Sequence, residues 1–131
     1  MTKRELKERV IRVELGCAGH LIVASSCHWR RHTQVGDYRV STIGNYYPDL
    51  RGKQKRETLG ATKDSFFETM VFETIEKQAE GNEGCGCREV KSWSEIDGER
   101  YATAGEAQAG HERYIAKYIA LAERARKRKR K

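Results

Sequence analysis

Zinc is held by four soft or borderline donors converging in a tetrahedron, commonly supplied as two closely spaced pairs. The chain offers Cys17-x-x-His20, Cys27-His28 with His32 beyond it, and Cys85-Gly86-Cys87. The first and last lie in glycine-rich runs, which let sulfur and backbone approach an ion. Their spacing matches no standard finger, so two readings stand. One is a structural zinc; the other is reduced, partly buried thiols with His28 and His32 in a solvated loop. The N-terminal Met1-Thr2-Lys3-Arg4-Glu5-Leu6 lacks the apolar core of a secretory signal, which reads as an intracellular protein. In a reducing compartment, metal or burial is a better use of cysteine than two disulfides.

A second chemistry is suggested by His28-Trp29-Arg30-Arg31-His32, where an indole stands beside two guanidinium groups. Base stacking with phosphate contact uses that combination. The run from Tyr46-Tyr47 to Arg56 repeats it with Arg51, Lys53, Lys55 and Arg56. Taken singly, each run is more simply a packed aromatic beside solvated cations. Both, however, fall in residues 1–56, which carry 12 basic and 5 acidic side chains. Seven of the last eight residues are also basic: Arg124, Arg126, Lys127, Arg128, Lys129, Arg130 and Lys131. Residues 57–123 oppose them with 7 basic and 14 acidic side chains, so the net charge of +7 equals that of the tail alone. Such a tail seeks a polyanion. His111 falls on an apolar helical stripe, where a lone histidine is more often a hydrogen-bonded core residue than a catalyst. No phosphate-binding loop, nucleophile elbow or paired-histidine signature is present, and the chain reads as non-enzymatic.

These residues need elements to position them. At 131 residues with 37% apolar and 34% charged side chains, the chain is one domain with a modest core. No apolar run is long enough to cross a membrane as a helix. Alternation over 10–15 predicts a strand, residues 20–25 a second, and Tyr38–Ile43 a third, with basic, polar residues 28–34 between the last two. Residues 44–64 read as a long loop. Residues 66–72, apolar on both faces, predict a central strand. An acidic segment follows, and then a hairpin with Val90 and Trp93 in its first arm and Asp97-Gly98 as its turn. Thr103-Ala104-Gly105-Glu106 is a capping box opening a helix. Its stripe is Ala107, His111, Tyr114, Tyr118, Leu121 and Ala125. The expected fold is α+β: an antiparallel sheet of four or five strands with one long C-terminal helix packed on a face. Residues 1–123 form the domain and 124–131 a basic tail into which the helix extends or frays.

In an up-and-down meander, Cys27 closes the second strand on the side where the fourth strand also ends. That arrangement selects Cys27, His32, Cys85 and Cys87 as the zinc ligands. Cys17 and His20 with Cys85 and Cys87 are the alternative in any other topology.

Three stretches, Tyr38–Gly44, Phe67-Glu68-Thr69-Met70-Val71-Phe72 and Tyr101–Glu112, together resemble a diverse group of small tailed-bacteriophage proteins. That group has an FETMVF-like strand and a later YxTxxEAxxGHE helix start. The resemblance implies a phage accessory protein in the host cytoplasm and carries no mechanism; the KRKRK end is not part of it. Three functions are then expected to compete. The first is association with nucleic acid, or with a nucleic-acid-binding complex, through Trp29, Arg30, Arg31, Arg51, Lys53, Lys55, Arg56 and the cations of residues 126–131. The second is an inhibitor or adaptor on a host defence or transcription protein, docking through the acidic 57–123 segment. The third is a minor virion component.

Overall fold

The structure, a computed structural model, describes residues 12–15, 26–48, 55–60, 62–78 and 87–129. Among the described residues six strands precede one helix: β1 (Arg12–Glu14), β2 (Cys27–Val35), β3 (Tyr38–Tyr46), β4 (Phe67–Gln78), β5 (Arg88–Val90), β6 (Asp97–Tyr101) and α1 (Ala104–Lys129). All pairings are antiparallel, in the order β1-β2-β3-β4. The far edge of β4 is shared, with β6 on Phe67–Val71 and β5 on Thr74–Gln78. This is the expected α+β architecture, with β4 central as its two apolar faces require. The second expected strand, residues 20–25, lies outside the described residues.

Residues 28–34 are strand, not the polar connection their composition suggested. They escape the usual alternation test because the inward position Thr33 is polar, as are its neighbours Thr42 on β3 and Thr69 on β4. All three are fully buried. Burying a hydroxyl is costly unless it is hydrogen-bonded, and these three are bonded through one histidine of α1. The Thr33 hydroxyl donates to Glu14 Oε2 at 2.9 Å, so its oxygen must accept from His111 Nε2, also at 2.9 Å. That fixes the ring hydrogen on Nε2 and leaves Nδ1 to accept from Thr42, 2.7 Å away. Thr42 in turn accepts from Thr69 at 2.6 Å, and Thr69 from the Tyr101 hydroxyl at 3.0 Å. Every hydroxyl donates once, in one direction, from Tyr101 on β6 to Glu14 on β1. The chain of bonds crosses all five strands of that face through the helix.

Apolar contacts flank this polar seam on both sides. Toward the β2–β3 turn, Val35, Val40 and Val71 pack under Ile115 and Tyr118, with Tyr38, Tyr114, Ile119 and Leu121 around them. Toward the other end, Phe67, Tyr101 and Ala107 form a second cluster, with Trp29 and Phe66 against it. The expected stripe of α1 is therefore inward as far as Leu121, but Ala125 is exposed because the sheet has ended by then. Ile115, which the stripe omitted, is buried. Thr103 caps the Glu106 amide at 3.2 Å; the Glu106 carboxylate accepts the Thr103 hydroxyl rather than reaching the backbone. On the opposite face, Cys27, Ile43 and Leu59 cluster, and Trp93 meets Phe72 edge-on at 5.3 Å.

Asp97-Gly98 opens β6 and is not the tip of a hairpin. Gly98 is small for another reason: a Cβ there would lie 2.7 Å from the Thr69 carbonyl oxygen of β4. The two-residue turn is instead Gly36-Asp37, with Gly36 at φ +56° joining Val35 to Tyr38.

Two outcomes test this packing. Gly110 sits in mid-helix, where alanine ordinarily adds about 1 kcal/mol. Its Cβ would lie 2.1 Å from the Tyr101 hydroxyl, so Gly110→Ala displaces the first donor of the chain and lowers stability by about 1–3 kcal/mol. Gly105→Ala, with nothing within 4 Å, raises it; urea titrations of both variants read the opposite signs. The second outcome concerns pH. Burial pushes the His111 pKa from 6.5 down to about 4, so between those values the unfolded chain binds a proton that the folded one refuses. Stability is then complete above about pH 6.5 and falls with acid at up to about 1.4 kcal/mol per pH unit, about 3 kcal/mol in all. His111→Asn lowers stability at neutral pH but removes most of that slope, as urea midpoints from pH 4 to 7 will register.

Candidate nucleic-acid interface

The strand register assembles a basic, aromatic end of the sheet from residues far apart in sequence. Trp29 on β2 faces Gly44 on β3. A Cβ at Gly44 would stand 1.9 Å from the Phe67 ring, so glycine makes the space in which Phe67 lies across the strand. Trp29 meets that ring edge-on, with centroids 5.6 Å apart at 89°. The indole is thus half-buried rather than freely exposed, and the exposed Arg31 guanidinium lies over it, 4.6 Å from its centroid. Beside it, His28 stacks on Tyr47 at 4.5 Å and 20°.

The later part of the long loop is brought to the same place. Glu57 bridges Tyr46 at the end of β3, donating its amide to the Tyr46 carbonyl at 2.9 Å. Arg56 is thereby set 3.8 Å over the Phe66 ring, with its Nη1 on Asn45 Oδ1 at 3.1 Å. Trp29, Arg30, Arg31, Lys55 and Arg56 therefore share one end of the molecule; Arg51 and Lys53 lie outside the described residues. His28, Tyr47 and Phe66 belong to this surface too. The sequence signalled them only as aromatics adjoining basic runs, because their pairing depends on register.

The cationic end of α1 lies at the other end. Ala107 packs at the Trp29 end, while Ala122 stands by Gly36, where an added Cβ would be 3.1 Å away. Beyond Ala122 the helix continues to Lys129. The boundary expected at 123/124 thus falls inside a helix. Arg124, Lys127 and Arg128 are exposed, and Arg126 and Lys129 occupy helical positions; Arg130 and Lys131 lie outside the described residues. Cations at a helix C-terminus complement its dipole.

Between the two ends, three described cations beside α1 are paired. Arg12 forks onto Glu112 at 2.6 and 2.8 Å, Arg113 reaches Glu99 at 3.1 Å, and Lys117 binds Asp97. Arg30, Arg31, Lys55, Arg56, Arg124, Lys127 and Arg128 have no carboxylate partner among the described residues.

The expected zinc quartet is not brought together. Cys27 begins β2 instead of ending a strand, which reverses the parity on which that ligand set rested. Its partner Tyr46 adjoins the start of β4, whereas Cys87 precedes Arg88, which pairs with Gln78 at the other end of β4. Eleven residue steps along β4 separate those positions, about 35 Å if extended. His32 is five residues along β2 from Cys27, about 16 Å, far beyond what one tetrahedral ion can span. Cys85, Cys17 and His20 lie outside the described residues, and among the described residues no cluster of three or more ligand-type side chains occurs.

Cys27 is instead packed with Ile43 and Leu59, and burial pushes its thiol up to about 11. Because the thiolate is the reactive form, native protein treated with iodoacetamide at pH 8 should alkylate Cys27 at least ~100-fold more slowly than urea-unfolded protein. Peptide mapping by mass spectrometry follows that site alone.

Comparison of the chain with protein-family models, with curated proteins and with solved structures finds no match, so the assignment rests on the chemistry of these surfaces.

Proposed function

We propose that this chain is a small, non-enzymatic phage accessory protein that grips nucleic acid through the cationic end of α1, assisted by the basic surface around Trp29. The observation that carries the reading is the continuation of α1 as helix to Lys129, seven residues past its contact at Gly36. Chain that runs past the sheet, is basic at five of those seven positions and whose Arg124, Lys127 and Arg128 have no acidic partner among the described residues is suited to phosphate contact. His111 adds no competing chemistry, since both its ring nitrogens are engaged inside the fold.

Docking on a host protein through the acidic segment is less well supported. Glu68, Glu73, Glu89, Asp97, Glu99 and Glu112 each face a cation of this same chain, so much of that negative charge is matched locally.

Deleting residues 124–131 should leave the urea midpoint nearly unchanged and sharply weaken binding to DNA or RNA. Each lost phosphate contact lowers the slope of log K against log salt by about 0.7–0.9. Fluorescence anisotropy at two salt concentrations measures it. Unchanged affinity and slope after truncation would mean that α1 is not the grip.

A further inference from the structure

Nucleic acid could be held by one continuous basic face or by separate ones, and the fold distinguishes the two. The Trp29 surface adjoins Ala107, and the cationic end of α1 is centred near Lys127. Twenty residues of helix separate those positions, about 30 Å at 1.5 Å per residue. The Debye length at physiological salt is about 8 Å, so neither surface feels the other's field. The paired flanks of α1, Arg12–Glu112 on the β1 side and Arg113–Glu99 and Lys117–Asp97 on the β6 side, lie between them and among the described residues offer a phosphate no continuous cationic track.

The two ends also differ in chemistry. At the sheet end, the Arg31 guanidinium over Trp29, the His28–Tyr47 stack and Arg56 over Phe66 present flat groups beside charge. Unstacked bases lie on guanidinium planes and rings, which a duplex hides in its stack. The helix end has no aromatic residue after Tyr118 and five basic residues among positions 124–129. At 100° per residue, no side of it lacks a basic position, which suits phosphates on both walls of a groove.

We infer that one chain holds two nucleic-acid segments at once, a single strand at the Trp29 end of the sheet and a duplex backbone at the cationic end of α1. This rests on the nucleic-acid reading above and adds a bridging role, as at a junction between paired and unpaired regions.

The test uses two probes too short to span the gap: a biotinylated single strand of about five nucleotides and a fluorescent hairpin of about eight base pairs, roughly 27 Å long. Streptavidin beads carrying the single strand should retain the hairpin only when the full-length protein is present. The triple substitution Arg30→Ala, Arg31→Ala and Arg56→Ala changes exposed side chains. It should leave hairpin binding in solution intact and reduce bead capture at least about tenfold. The triple substitution Arg124→Ala, Lys127→Ala and Arg128→Ala should leave single-strand binding intact and reduce capture equally. Competition between the two probes for one site overturns the inference, as does full capture by either triple variant. Binding of neither probe by the unaltered chain sinks the nucleic-acid reading along with it.

Discussion

His111 must stay uncharged, and much of the fold follows from that requirement. Its two ring nitrogens play opposite roles, one donating to Thr33 and one accepting from Thr42. A second ring proton would force Thr42 to accept from the ring and donate to Thr69, leaving the hydroxyl hydrogen of either Thr69 or Tyr101 without its acceptor in the chain. The direction set by Glu14 at one end is thus transmitted through the ring to β6 at the other. An all-apolar seam could slide along the sheet by a residue pair with little penalty. A directed chain of five hydrogen bonds admits one position of the helix, because an unmade buried bond costs about 1–3 kcal/mol.

That single docking position fixes the neighbouring close fits. With His111 over Thr33 and Thr42, Gly110 lies against the Tyr101 hydroxyl and Ala107 enters the Phe67–Tyr101 cluster. One turn further along, Ile115 and Tyr118 meet Val35, Val40 and Val71. The Tyr118 hydroxyl donates to Asp97, which also receives Lys117. Polar register and apolar packing agree residue by residue, which is the local and global consistency expected of a foldable sequence.

The docked helix also decides the distribution of charge. Its two flanks present Glu112 to Arg12 on β1, and Arg113 and Lys117 to Glu99 and Asp97 on β6, so these charges are matched at the molecule's waist. Exposed pairs of this kind add little stability. Their consequence is spatial: the described cations around Trp29 and at the end of α1, which have no carboxylate partner among the described residues, stand at opposite ends as two positive poles.

From the sequence alone came the fold class, the central strand expected over residues 66–72, the cap at Thr103 and the inward stripe of α1 as far as Leu121. All of these depend on periods of two or 3.6 residues and on contacts within a few positions. The polar strand Cys27–Val35 was not legible, because Thr33 is buried only when His111, 78 residues later, satisfies it. Nor could the zinc quartet be judged from spacing. Whether Cys27 starts or ends a strand decides which end of β4 it faces, and no local pattern carries that information. The basic runs were visible as composition, yet their division between opposite ends of the molecule was not. That division depends on β2 and β4 running the same way and on α1 crossing the sheet lengthwise, both fixed by long-range pairing and the docking of one uncharged histidine.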